Sequence, residues 1–253
     1  MEERPHALLL KFPGTNCDAE TARALQTVGF STEIVPISKA TNGLFEGAHL
    51  VMLSGEFSYG DYVMAGRLAQ LEIELLIGHG KFSQVTGSFG NNWDGTPIGN
   101  ALPVEIADSD DRRNCDQPVF ARPAKDAAHP ITNRLPWSER PPIIGGFNAF
   151  TAKSGSETLL QAVRFEAHLD GDHLQTKELS ASPLLVTGIY GSGRTAALAT
   201  DVAPHWIGPM VDWGTERITA RADSAGEIEV GNLYAAFFHS LLSWTSQLNT
   251  DEH

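Results

Sequence analysis

Ser54-Gly55-Glu56-Phe57-Ser58-Tyr59-Gly60-Asp61-Tyr62 stands between two apolar runs, at 50–53 and 63–65. Four apolar residues that stop at Ser-Gly read as a short strand buried on both faces, with a glycine-punctuated loop at its carboxyl end. In an open α/β sheet, ligands and catalytic groups collect at that end of the strands. A companion segment, Phe12-Pro13-Gly14-Thr15-Asn16-Cys17-Asp18-Ala19-Glu20, leaves an earlier apolar run at 7–12. It opens a helical pattern in which Ala22, Leu25 and Val28 share a face, with Asn16 or Asp18 as cap and Gly29 as stop. Further strands read at 31–37, 49–54 and 82–86, and a helix at 67–77 places Leu68, Leu71 and Leu75 on one side. Strand alternating with helix predicts an α/β fold: a flavodoxin-like open parallel sheet with right-handed crossovers and helices on both faces.

From about Asn91 the pattern changes. A Gly-Thr-Pro turn at 95–97 precedes an apolar stretch at 102–106, and the acidic, proline-rich segment 108–142 reads as an irregular excursion over the sheet. Order returns at 159–165, then as a hairpin whose strands, 183–190 and 194–201, are joined by Gly191-Ser192-Gly193. A long amphipathic helix at 231–248 carries Leu233, Phe237, Leu241 and Trp244 along one stripe. No internal repeat or low-complexity tract breaks the chain.

The 253 residues fit one domain, 1–253, and 42% hydrophobic content is enough for a sizeable core. Eighteen Lys and Arg against 31 Asp and Glu give a net charge of −13, which repels nucleic acids and anionic membranes. No run of Lys or Arg offsets this, so neither is expected as a partner. Two cysteines, Cys17 and Cys115, make neither a disulfide framework nor a metal site, and a reducing cytoplasmic location follows. No apolar stretch reaches the ~18 residues of a membrane span, and the amino terminus lacks a signal pattern. No cofactor or metal is called for.

The segments at 12–20 and 54–65 resemble the class I glutamine amidotransferases. Within these they resemble the glutaminase subunit of phosphoribosylformylglycinamidine synthase, whose pattern runs close to PGTNCDxE and then PGGFSYGDYxxAG. The second part, about 87–244, resembles a different branch, the ThuA-like putative glutamine amidotransferases. It does so through Asp94-Gly95-Thr96-Pro97-Ile98, Tyr190-Gly191-Ser192-Gly193-Arg194 and Thr200-Asp201-Val202-Ala203-Pro204-His205-Trp206. The chain thus reads as composite, joined between Leu75 and Gly90.

That resemblance implies a Cys on a strained strand-to-helix turn, G-x-C-x-G, with a His as its base and a Glu orienting the His. Here the corresponding segment is Thr86-Gly87-Ser88-Phe89-Gly90, with Ser88 where the thiol belongs and no glycine at the first position. The resemblance also implies two glycines at the oxyanion strand, whereas this chain has Gly55-Glu56, and a carboxylate there disfavours a developing oxyanion. The remaining catalytic candidates are Ser88, His205 as base and Asp201 to orient it, each set against a plain structural reading as turn, core closure or turn cap. Asn16, Gly55, Glu56, Tyr59 and Asp61 are candidate binders of a polar ligand, with loop capping as the alternative. Two functions follow: a non-glutaminase member binding a small molecule or a partner, or a glutaminase of purine biosynthesis using Ser88 or Cys17 and serving a synthase partner subunit. A homo-oligomer is compatible with either.

Overall fold

The computed structural model describes residues 4–15, 17–41, 43–53, 85–87, 97–106, 111–124, 128–171, 173–202, 204–222 and 226–248. β1 (His6–Lys11) leads into α1 (Asp18–Thr27), followed by β2 (Ser31–Pro36), β3 (Leu50–Leu53) and β4 (Val85–Gly87). α2 (Pro97–Ala101), β5 (Val104–Glu105), β6 (Arg112–Pro123), β7 (Ile143–Asn148) and β8 (Thr151–Ala152) come next. β9 (Glu157–Asp170), β10 (His173–Tyr190) and β11 (Gly193–Leu198) precede α3 (Pro204–Ile207), β12 (Arg217–Ala222), β13 (Gly226–Gly231) and α4 (Asn232–Thr245).

The main sheet has nine strands in the order β2-β1-β3-β4-β11-β10-β9-β6-β7. From β2 to β11 every neighbouring pair is parallel, and from β11 to β7 every pair is antiparallel. The sheet is therefore mixed, and the open parallel sheet expected is found in its β2-β1-β3-β4-β11 part. The cause of the mixing is the shortness of the connections: only two residues separate β9 from β10 and β10 from β11, and such turns join antiparallel neighbours without a crossover helix.

The excursion expected at 108–142 is corrected, because β6 occupies 12 of its residues and lies between β9 and β7. Only Val119 and Ala121 of that strand are buried, and Pro118 falls where the β6–β7 register breaks between Asn114 and Val119. A proline is tolerated in a sheet at such an irregularity because no ladder donor is needed there.

α1 starts at Cys17, whose side chain makes no cap hydrogen bond. Asp18 is thus not the cap; it pairs with Lys11 Nζ at 2.6 Å across the β1–α1 turn, and Asn16 lies outside the described residues. The helix ends as Gly29 predicts. Gly29 has φ +98°, its N–H donates to Gln26 O, and Phe30 N–H donates to Leu25 O, a paired closure that requires the left-handed residue. The helix expected at 67–77 lies outside the described residues.

β1 is buried at Ala7, Leu8, Leu9 and Leu10, and β3 along its whole length, as central strands covered on both faces require. On α4 the buried face runs through Tyr234, Phe237, Phe238, Leu241 and Leu242, while Leu233 and Trp244 are only partly buried. Phe237 and Phe238 pack with Trp137 and Tyr234 in edge and tilted contacts. The turn at Trp213 is tied to the same cluster through its ring contact with Trp137.

Candidate functional site

β3, β4 and β11 are consecutive and parallel, with Met52 opposite Thr86 and Thr86 opposite Ala196. Their last residues, Leu53, Gly87 and Leu198, therefore lie on one edge of the sheet, within about 10 Å of one another at ~4.8 Å per strand. The chain leaves all three strands on that edge. The candidates that follow the first two, Gly55, Glu56, Tyr59, Asp61 and Ser88, lie outside the described residues, as does Asn16 beyond β1.

The described residues of the third connection are anchored on both sides. β11 stops at Leu198, three residues before the expected end of that strand, and Thr200 and Asp201 are buried beyond it. Ala199 N–H donates to Leu184 O and Ala199 O accepts from Asn148 N–H, both at 2.7 Å, fastening the strand end to β10 and β7. Asn148 is held in turn, donating from Nδ2 to Asp111 Oδ1 at 2.6 Å. Asp201 Oδ1 accepts the Ile207 N–H at 2.8 Å, so the carboxylate closes the short helix α3 by satisfying one of its free donors. His205 belongs to that helix and not to a strand end; its side chain lies outside the described residues.

Two adjacent glycines of β7 form the seat on which this segment rests. A Cβ at Gly146 would come within 2.9 Å of the Trp206 ring, and Gly208, with φ +55°, crosses against Gly145 N. Trp206 Nε1 also donates to Asn114 Oδ1 on β6 at 2.9 Å. The seat was legible in principle: a Gly-Gly pair inside the apolar run 143–148 signals a close approach of another segment. Tyr234 on α4 closes the far side, its hydroxyl donating to Val202 O at 3.1 Å. Burial, and then the Asp201 and Glu20 carboxylates, push this phenol well above its ordinary range, so it keeps its proton.

Neither cysteine lies on β4. Cys17 is buried at the start of α1, with its carbonyl accepting from the Thr21 hydroxyl and N–H. Cys115 sits on β6, four strands from β4 and thus about 19 Å away at ~4.8 Å per strand. Burial raises its thiol pKa, which lowers the thiolate fraction.

The family model described as "Putative glutamine amidotransferase", GATase1-like, matches residues 59–218, more than half of the chain. The chain belongs to this glutamine amidotransferase-like family. A second model, the CobB/CobQ-like glutamine amidotransferase domain, matches residues 4–89. The two matches meet at 59–89, across the junction expected from the motifs. The chain is 38% identical across 73 residues to the phosphoribosylformylglycinamidine synthase subunit PurQ of Dehalococcoides mccartyi, covering 28% of this chain and 29% of that protein. It is 42% identical across 62 residues to the PurQ subunit of Helicobacter hepaticus, covering 24% of this chain and 27% of that protein. The chain thus matches less than a third of the length of these curated relatives. Among solved structures, a cytoplasmic protein of Salmonella typhimurium LT2 superposes with a TM-score of 0.62 at 17% identity, over 95% of this chain and 99% of that one. The PurLQS structure from Thermotoga maritima gives a TM-score of 0.54 at 20% identity, over 96% of this chain and 99% of that one. At these identities the likeness is one of fold. Among the described residues no helix is long and apolar enough to cross a membrane.

Proposed function

We propose that this amidotransferase-like chain is a non-glutaminase member that binds a small polar molecule or a protein partner at the carboxyl edge of β3, β4 and β11. The observation that carries the proposal is the residue after β4: Gly87 ends the strand on that edge, and the next residue is Ser88, where the family chemistry needs a thiolate. With Cys17 buried at the start of α1 and Cys115 about 19 Å off by strand spacing, neither cysteine takes that place. Asp201 Oδ1 accepts the Ile207 N–H, which supports a turn-capping role for this carboxylate.

On this reading the parallel half, with strand order 2-1-3-4-11, is the flavodoxin-like core, with helices on both faces, of a single domain. The ThuA-like motifs belong to its second part. Asn16, Gly55, Glu56, Tyr59 and Asp61 contact the ligand, and the protein acts in the cytoplasm, alone or as a homo-oligomer. The second reading is a glutaminase subunit of purine biosynthesis using Ser88 with His205, docked on a synthase partner. The PurQ identity over 62 to 73 residues favours it. Ammonia release from glutamine, assayed for the chain alone and with a phosphoribosylformylglycinamidine synthase large subunit, separates the two. Turnover in either condition supports the second reading, and its absence in both supports the first.

A further inference from the structure

Beyond Arg164 the long strands β9 and β10 leave the rest of the sheet. β6 accompanies β9 only from Pro123 opposite Leu160 to Val119 opposite Arg164, and β11 accompanies β10 only from Leu185 to Tyr190. Among the described residues, 165–170 and 173–178 pair with no strand but each other. They form an arm that extends past the end of β11, on the carboxyl edge of the sheet. Its residues 166–170 and 175–181 are exposed, Leu169 by 73% and Leu179 by 46%. We propose that this arm joins two copies of the chain, β9 pairing antiparallel with β9 of the second copy and Ala167 on the two-fold axis.

A two-stranded ribbon alone is marginally stable in water, and its outer edges carry rows of unpaired N–H and C=O groups. On β10 that edge is blunted, because the register slips between Glu178 and Ser180 and Lys177 stands next to the slip. β9 has no lysine, proline or bulge over 164–170, so its edge is the open one. The base of the arm is fixed. The Phe165 ring meets Phe120 edge-on at 5.4 Å between centroids, and the Arg122 guanidinium lies 4.7 Å from the Phe165 centroid.

The occupant follows from the segment Arg164-Phe165-Glu166-Ala167-His168-Leu169-Asp170, which complements itself when reversed. With the axis at Ala167, Phe165 lies opposite Leu169 of the second copy and Glu166 opposite its His168, each pair occurring twice by symmetry. The exposed Arg164 reaches past the end of the β6 pairing to Asp170 of the second copy. Aromatic–aliphatic and opposite-charge pairs are the cross-strand combinations that stabilise a sheet. Neighbouring registers lose them. An axis at Glu166 sets the two Glu166 carboxylates face to face, and one at His168 sets Glu166 against Asp170. An axis between residues, on either side of Ala167, sets Phe165 and Leu169 against charged or imidazole side chains. Seven residues per copy is small beside the ~20–30 a side of a stable interface, so the dimer is expected to dissociate in the micromolar range.

The test is sedimentation velocity of the full chain from about 1 to 500 μM at ~150 mM salt, where a Debye length of ~8 Å screens the net charge of each copy but not cross-strand pairs. The parent is expected to pass from monomer to dimer, with amide exchange at 165–170 slower in the dimer. Leu169→Lys, at a 73% exposed position that leaves the monomer fold intact, is expected to weaken the dimer at least tenfold. Arg164→Asp and Asp170→Arg are each expected to weaken it at least threefold, and the two together in one chain to restore it to within twofold of the parent. A parent that stays monomeric throughout, a dimer with unchanged exchange at 165–170, undiminished association of Leu169→Lys, or a double variant no tighter than the single ones would overturn the proposal.

Discussion

Replacing Gly146 by alanine isolates the contact that fixes the connection after β11. The added Cβ would lie 2.9 Å from Trp206 Cδ1 and Nε1 and 3.0 Å from Cε2, well inside van der Waals contact. Trp206 is buried, and its Nε1–H is committed to Asn114 Oδ1, so the ring cannot slide away without losing that bond. Overpacking a close-packed site costs about 1–3 kcal/mol and the lost hydrogen bond about 0.5–1.5 kcal/mol, so Gly146→Ala should destabilise by about 1.5–4.5 kcal/mol. Urea unfolding followed by tryptophan fluorescence measures this directly. The same substitution in a Trp206→Leu background should cost less than about 1 kcal/mol, because the smaller side chain leaves room for the methyl. A Gly146→Ala cost under about 0.5 kcal/mol, or an equal cost in both backgrounds, would refute the seat described for α3.

Three further outcomes follow from the same geometry. Asp201→Asn keeps an oxygen acceptor for the Ile207 N–H and should stay within about 0.5 kcal/mol of the parent, whereas Asp201→Ala should lose about 1–3 kcal/mol in thermal or urea unfolding. Lys153 Nζ donates to the carbonyls of Gly99, Asn100 and Leu102 and closes the carboxyl end of α2, so Lys153→Met should cost about 1–2 kcal/mol and raise amide exchange at 98–102. Burial lowers the His129 pKa, outweighing the Glu157 charge, so the folded state binds fewer protons than the unfolded one. Stability should therefore fall as pH drops below ~6.5, and His129→Gln should flatten that part of a urea-midpoint profile.

The readable elements are those in which one physical demand dominates the local sequence. β1 and β3 are short continuous apolar runs because both of their faces are covered, and α1 is closed by a glycine that only a left-handed turn requires. β6 was hidden because half of it faces solvent and Pro118 interrupts its pattern at a register break. The far ends of β9 and β10 were hidden because they are exposed on both faces, which removes the alternation that marks a strand; Leu169 is 73% exposed. β12 and β13 do alternate, through Ile218 and Ala220 against Ile228 and Val230, and that signal went unread. For the site, strand order alone brings the ends of β3, β4 and β11 to one edge, which the motifs anticipated. The commitment of Asp201 to a backbone N–H was not legible, since a carboxylate near a His reads equally as an orienting partner or a turn cap.

The central claim is that the amidotransferase fold persists here without its covalent chemistry. Intact-mass and peptide-resolved labelling with a glutamine-mimicking electrophile, with and without excess glutamine, tests it most directly. The account predicts no glutamine-protected adduct on Ser88, Cys17 or Cys115. A stoichiometric adduct at any of the three, suppressed by glutamine, would contradict it.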